Sequence, residues 1–139
     1  ANFAPYLLRN RLPSTGDRLP NVLMQIAMGD TTIPNSTSWY LAQSMDLPQL
    51  APVVTPIPLV QQDAVLPLSA NVSADVTGGI FQFDRVSYQQ GGPVQAAGHG
   101  STPGSLESVN QAMNFLMTWY SDGVGEVYDP YAEFGTAPL

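Results

Sequence analysis

Apolar and polar positions along the 139-residue chain predict four main elements and a short edge strand. Val22-Leu-Met-Gln-Ile-Ala-Met28 is apolar except for Gln25 and is bounded by Pro20-Asn21 and Gly29-Asp30. So short and continuous a run reads as a strand covered on both faces, as in a parallel sheet; a buried helix is the rival that its bounding turn residues disfavour. After Pro34, Asn35 or Ser36 can cap a helix that runs to about Met45, with Trp39, Leu41, Ala42 and Met45 as its apolar stripe, and Pro48 ends it. Gly79 to Val86 is the second strand candidate, between Gly78-Gly79 and the turn-rich Gln89 to Pro93. Its two residue sets, Ile80, Gln82, Asp84 and Phe81, Phe83, Arg85, do not alternate cleanly, so its faces stay unassigned. The clearest helix begins within Ser101 to Ser105, followed by Glu107 and Ser108, and runs to about Ser121. Leu106, Val109, Met113, Leu116 and Tyr120 recur there at spacings of three and four, which makes one face apolar. Asp122-Gly123 ends it, and Val124 to Pro130 is read as a short edge strand.

The remaining stretches are punctuated by turn formers. Residues 1–20 hold Pro5, Pro13, Gly16 and Pro20 and read as loop, with a helical turn at most around Tyr6, Leu7 and Leu8. From 47 to 79 the chain carries Pro48, Pro52, Pro56, Pro58 and Pro67 among Val and Leu, a pattern that argues against central strands and long helices. That segment reads as a Pro-rich excursion over the surface, longer than ordinary loops and so a lid or a segment packed on a neighbour. The fold class expected is α/β, within a single partial domain spanning 1–139.

Composition narrows the functional classes. The chain is 44% hydrophobic but only 11% charged, against about 25% in typical domains. Neutral polar groups must therefore cover much of its outside, or the chain packs against something else. Four Arg, no Lys and eleven acids give a net charge of -7, which argues against binding a phosphate backbone, so nucleic acid is excluded as a partner. Without Cys there is no disulfide, thiolate chemistry or Cys-ligated metal, and the compartment is left open. No apolar stretch approaches the roughly 20 residues of a membrane span, and the first residues have neither signal nor anchor. With no initiator Met, the chain reads as a processed product or a piece of a longer one.

The chemistry centres on two residues. Asp30 sits just past the end of the first strand candidate, the edge at which open α/β sheets place functional groups. His99, the only histidine, lies between Gly98 and Gly100 in the loop after the second strand candidate. Both can therefore reach one sheet edge across 69 residues of sequence. A carboxylate that holds the ring's Nδ1 hydrogen is the acid and base half of a Ser-His-Asp triad, and the order acid before His is that of α/β-hydrolases. The rival readings are a solvated loop histidine and an Asx-turn or helix cap at Asp30. No Gly-x-Ser-x-Gly is present, since Gly100-Ser-Thr-Pro-Gly104 has Thr at its centre and reads as the turn feeding the last helix.

The strings Asn21 to Asn35, Thr77-Gly-Gly-Ile-Phe-Gln-Phe-Asp84, Gly98-His-Gly100 and Gln111-Ala-Met-Asn-Phe-Leu116 resemble the carboxyl-terminal third of a bacterial-type α/β-hydrolase, a serine lipase or esterase. The resemblance covers nearly the whole chain and is least specific in its Pro-rich middle. It implies the last two parallel strands of that fold plus helices, incomplete on its own. It also implies Asp30 as triad acid and His99 as triad base, acting on an ester or lipid substrate with no cofactor. The Ser and the oxyanion-hole amides have no counterpart here, so this chain by itself is expected to be inactive. Because parallel strands buried on both faces need neighbours, the Val22–Met28 strand is expected either to show an exposed apolar edge or to be covered by a partner, the amino-terminal half of the hydrolase or another chain. A secreted or cell-envelope location goes with the resemblance, with the cytoplasm left open. The rival from another class is a non-catalytic interaction module or degenerate hydrolase remnant packed on a partner.

Other site types are poorly supported. One His and scattered acids (Asp17, Asp63, Asp75, Asp84) give no metal-ligand spacing, and no Gly-rich turn pairs with a Lys. Asp84-Arg85 reads as a surface or strand-end ion pair. Asp122, Glu126, Asp129 and Glu133 read as a solvated acidic face.

Overall fold

The computed structural model describes residues 3–11 and 18–138. In chain order its elements are α1 (Pro5–Leu8), β1 (Val22–Ala27), α2 (Asn35–Met45), β2 (Leu68–Ser69), β3 (Gly78–Phe83), β4 (Arg85–Val86), β5 (Gln95–Ala96), α3 (Ser101–Gly104), α4 (Leu106–Asp122), β6 (Glu126–Val127) and α5 (Pro130–Phe134). Helices and short strands are mixed along the chain, an α/β arrangement. The loop reading at Pro13 and Gly16, and Asp17, lie outside the described residues.

The organising unit is the parallel pair β1–β3, in register from Val22 opposite Gly78 to Ala27 opposite Phe83. Alternate side chains of a strand point to opposite faces, and here both faces are covered. On one, Met24, Ile26 and Ile80 pack with Ala42, Met45, Leu47 and Ile57. On the other, Ala27, Phe81 and Phe83 pack with Leu50, Phe115, Val127 and Tyr131. Double coverage explains why Gly79 to Val86 lacks alternation: every residue of β3 is buried. The strand also starts one residue earlier than expected and breaks at Asp84. Gly78 and Gly79 are inside it because a Cβ there would meet Leu47 Cδ2 at 2.9 Å and Leu50 Cδ2 at 2.7 Å.

The Pro-rich segment departs from the expected surface excursion. Leu47, Gln49, Leu50 and Ile57 are fully buried, and Gln49 bridges Ile80 in the parallel sense on the side of β3 away from β1. The Leu50 amide donates to the Ile80 carbonyl at 2.9 Å and the Ile80 amide to the Pro48 carbonyl at 3.0 Å. Pro48 takes part because only its carbonyl is needed there, and Pro52 lies just beyond the paired residues. A short third strand thus lies beside β3; on its other side the Gln49 amide donates to the Gln61 carbonyl, the Ala64 amide to the Gln49 carbonyl and the Ala51 amide to the Ala64 carbonyl.

Along β1, the amides of Val22 and Met28 donate to the carbonyls of Thr77 and Phe83. Alternate residues of a parallel strand bond to the same neighbour, so Leu23, Gln25 and Ala27 turn their backbone groups to the other edge. Among the described residues no strand pairs there.

Two helices also depart from the sequence reading. Neither Asn35 nor Ser36 caps α2: Pro34 is the cap residue, without a side-chain bond, and Asn35 instead donates to the Met28 carbonyl at 3.0 Å, fixing the helix start to the end of β1. In α4 the face turned to the protein carries Glu107, Ser108, Gln111 and Phe115, all buried. The apolar stripe of Val109, Met113, Leu116 and Tyr120, with Met117, faces outward at 38–83% exposure. Ser105 caps this helix, accepting from the Ser108 amide. The expected edge strand appears as β6, antiparallel to β2. Among the described residues no helix is long and apolar enough to cross a membrane.

Candidate functional site

The carboxyl ends of β1 and β3 deliver two loops to one place. Past Ala27 the chain turns, the Asp30 amide donating to the Ala27 carbonyl at 3.2 Å. Asp30 Oδ1 then accepts from the amides of Thr32 at 2.8 Å and Ile33 at 2.9 Å. The Asx-turn expected as a rival reading is therefore present, and it fixes the carboxylate instead of consuming it. Past Phe83 the chain forms the β4–β5 hairpin and returns at Ala97, whose amide donates to the Asp84 carbonyl at 2.9 Å. Ser101 Oγ accepts from the Gly98 amide at 2.8 Å, closing the tight turn that presents His99. Gly100 completes this turn at φ +86°, a left-handed conformation that favours glycine.

His99 Nδ1 lies 3.0 Å from Asp30 Oδ2 and 3.2 Å from Oδ1. The Asp30 carboxyl is held below its ordinary value, first by the Ile33 amide and then by His99 and the Thr32 amide, against a smaller opposing effect of burial. An ionised carboxylate only accepts, so Nδ1 carries the hydrogen that bonds it. This leaves Nε2 as the basic nitrogen of a neutral ring. The Asp30 side chain is 15% exposed and that of His99 56%, so the orienting group is sheltered and the ring is accessible. Such an arrangement can take a proton at Nε2 and stabilise the imidazolium through Asp30.

The structure thus brings together the two residues singled out from the sequence. It brings no nucleophile to them: among the described residues no hydroxyl is hydrogen-bonded to His99. Ser101, the nearest in sequence, is buried and occupied by Gly98 and Tyr88. A cleft of about 160 Å³ lies at Asp30, lined among others by Gln25, Ala27, Ile33, Gly98 and Thr102.

The Asp84-Arg85 pair serves packing. Arg85 donates to Asp84 at 2.9 Å and to the Thr136 carbonyl at 3.3 Å and stacks 3.9 Å over Tyr131, so the Asp84-Arg85 pair sits at the strand end, not on the open surface. Tyr131 donates to Asp84 Oδ1 at 3.0 Å, and burial pushes its hydroxyl pKa well up, so it stays a neutral donor. Of the acidic group near the carboxyl end, Asp129 caps α5 through the Tyr131 amide, while Glu126 and Glu133 line an open groove. Among the described residues no cluster of His, Asp or Glu could hold a metal.

Glu107 is a special site that the sequence reading missed. Fully buried, it accepts from the Ser87 amide at 2.9 Å, the Ser87 hydroxyl at 2.5 Å and the Thr136 hydroxyl at 2.7 Å. Its only sequence signal is its place opposite the apolar stripe of α4, which reads equally well as a solvated face.

No protein-family model matches the chain, and neither the curated proteins nor the solved structures compared with it give a match.

Proposed function

We propose that this chain supplies the acid and base of a Ser-His-Asp triad in a carboxylic ester hydrolase of the lipase or esterase type. The observation that carries the reading is the His99 Nδ1 to Asp30 hydrogen bond at the shared carboxyl end of two parallel strands, with the other ring nitrogen accessible. The site is accordingly read as the end of a larger α/β-hydrolase sheet.

In that mechanism the hydroxyl of a Ser outside this sequence attacks the ester carbonyl while His99 Nε2 takes its proton. His99 then gives the proton to the leaving alcohol, and in the second half activates the water that cleaves the acyl-enzyme. Asp30 stays ionised throughout and holds the ring. Gln82 accepts from the Val54 and Thr55 amides, which fixes that part of the Pro-rich segment beside the carboxyl end of β3 and suits the segment to cover an acyl chain. A secreted or cell-envelope setting goes with this reading and rests on the resemblance.

The partner we propose is the amino-terminal part of the same hydrolase, joined to this chain or separate from it. Two features support it: the unpaired edge of β1, which over Val22 to Met28 carries no charge and no Pro, and the outward apolar stripe of α4. The same features support the second reading, a non-catalytic module whose open face packs on a partner.

The test is ester hydrolysis by the intact polypeptide containing this sequence. Asp30→Asn and His99→Ala are expected to lower kcat on the order of 10⁴-fold with the circular dichroism spectrum unchanged. An intact protein that hydrolyses no ester, from short acyl chains to triglycerides, would leave the interaction module as the reading.

A further inference from the structure

We propose that Gly29 is a positioning residue for the Asp30–His99 pair: its amide, by bonding the Ala97 carbonyl, sets the separation of the two loops. The bond is 3.0 Å long and sits one residue before Asp30 and two before His99. It is the last tie between the two chain ends before their functional side chains. Ala97 is buried, and both of its backbone groups are engaged, the amide by Asp84 and the carbonyl by Gly29. Asp84 is itself held by Tyr131, whose hydroxyl accepts from the Asp84 amide at 3.2 Å and donates to its carboxylate. A continuous set of bonds therefore runs from α5 through Asp84 and Ala97 to the residue beside Asp30.

Glycine is needed at 29 for close approach, since its backbone is not in the left-handed region. A Cβ there would lie 2.4 Å from the Ala97 carbonyl oxygen and 3.5 Å from its carbon. Side-chain carbons do not come within 3.0 Å of such an atom. The obstructing atom is backbone and is anchored, so no rotamer change relieves the clash. Either the turn carrying Asp30 or the segment carrying His99 must move, and each lengthens a 3.0 Å bond. Gly98 provides a matched contrast: a Cβ on it would meet nothing closer than the Gly29 carbonyl oxygen at 3.8 Å, an ordinary contact.

The kinetic part of this inference rests on the triad reading; the geometric part does not. His99 is the only histidine, so its ring nitrogens in the 139-residue chain can be read by nitrogen-15 NMR without ambiguity. In the neutral ring the Nδ1–H tautomer is expected to dominate in the parent and in Gly98→Ala, while Gly29→Ala shifts toward the Nε2–H form that a solvated histidine side chain favours in water. A Gly29→Ala chain with the parent's tautomer ratio overturns the proposal. Should Gly29→Ala fail to fold, the parent decides: the Gly29 amide must show through-hydrogen-bond coupling to the Ala97 carbonyl, and no coupling overturns the tie itself. In the intact polypeptide Gly29→Ala is expected to lower kcat on the order of 100-fold with KM unmoved; equal kcat in Gly29→Ala and the parent overturns the positioning role. A parent that hydrolyses no ester sinks the hydrolase reading and leaves the tautomer result to judge Gly29.

Discussion

The two edges of the β1–β3 pair are finished in opposite ways. On the β3 edge the chain supplies its own cover: residues 48–50 pair with Ile80, and Gln61 and Ala64 bond the outside of that segment. Two buried glutamines secure this side. Gln49 takes the Ile57 amide and gives to the Thr55 carbonyl, and Gln82 takes the Val54 and Thr55 amides. On the β1 edge the backbone groups of Leu23, Gln25 and Ala27 meet no described strand, and the neighbouring helix α4 turns its apolar stripe outward. The first edge buries polar groups and satisfies each of them; the second leaves apolar groups in water. Burial in this chain follows available partners more closely than hydrophobicity, and the place where apolar groups lack partners is where we propose that another surface packs.

That contrast predicts unequal sensitivity to mutation. Phe81 is fully buried on β3 with its ring 4.7 Å from that of Phe83 and 5.7 Å from that of Tyr131. Phe81→Ala should cost about 3–5 kcal/mol, from lost transfer energy and the cavity left behind, read as a lowered denaturation midpoint. A loss no greater than that of a surface substitution would mean that the closed edge is not the stable side.

Glu107 tests whether polar burial holds the inner face of α4, the helix beside the open edge. Burial alone raises its pKa, but the Ser87 hydroxyl and amide and the Thr136 hydroxyl outweigh that and leave the carboxyl below its ordinary value. A depressed native pKa means that the unfolded state takes up the proton more readily, so the stabilisation is complete above about pH 4.5 and is lost as pH falls through the native value. Glu107→Gln keeps the shape but replaces one acceptor oxygen with a donor facing donors. It should cost on the order of 1–3 kcal/mol at neutral pH and flatten the fall in stability below pH 4.5. An unchanged acid slope would assign that slope to another carboxylate, Asp30 first, since its pKa is lowered too.

These cases also mark what the sequence can carry. The strand at Val22 to Met28 is legible because seven residues of continuous apolar character between turn formers are too few for an ordinary helix and suit a doubly covered strand. The site is legible because Asp30 and His99 each follow such a strand, and parallel strands put their carboxyl ends on one side. The side of α4 that faces inward is not legible. Periodicity defines a face but not its direction, which here is decided by partners remote in sequence: Ser87 and Thr136 for Glu107, Gln25 and the Tyr128 carbonyl for Gln111. The same holds for Gln49 and Leu50 between their prolines, whose pairing depends on Ile80 some thirty residues on. The start of α2 departs from the capping pattern because the Asn35 side chain has a better partner in the Met28 carbonyl.

The smallest effect on folding should come from the open side, where it is also the most informative. Leu116 and Met113 lie on the outward stripe of α4 and are more than half exposed, so Lys at either position costs the isolated chain little, within about 0.5 kcal/mol. If that stripe and the β1 edge are covered in the intact protein, the same substitutions place a charge in an apolar contact. They should then weaken association between this chain and a separately produced amino-terminal part, measured by titration calorimetry. The two measurements must diverge for the contrast to hold. Equal, small effects in both would mean that the stripe stays in water; a large loss in the isolated chain would mean that α4 buries the stripe and the two edges are not finished differently.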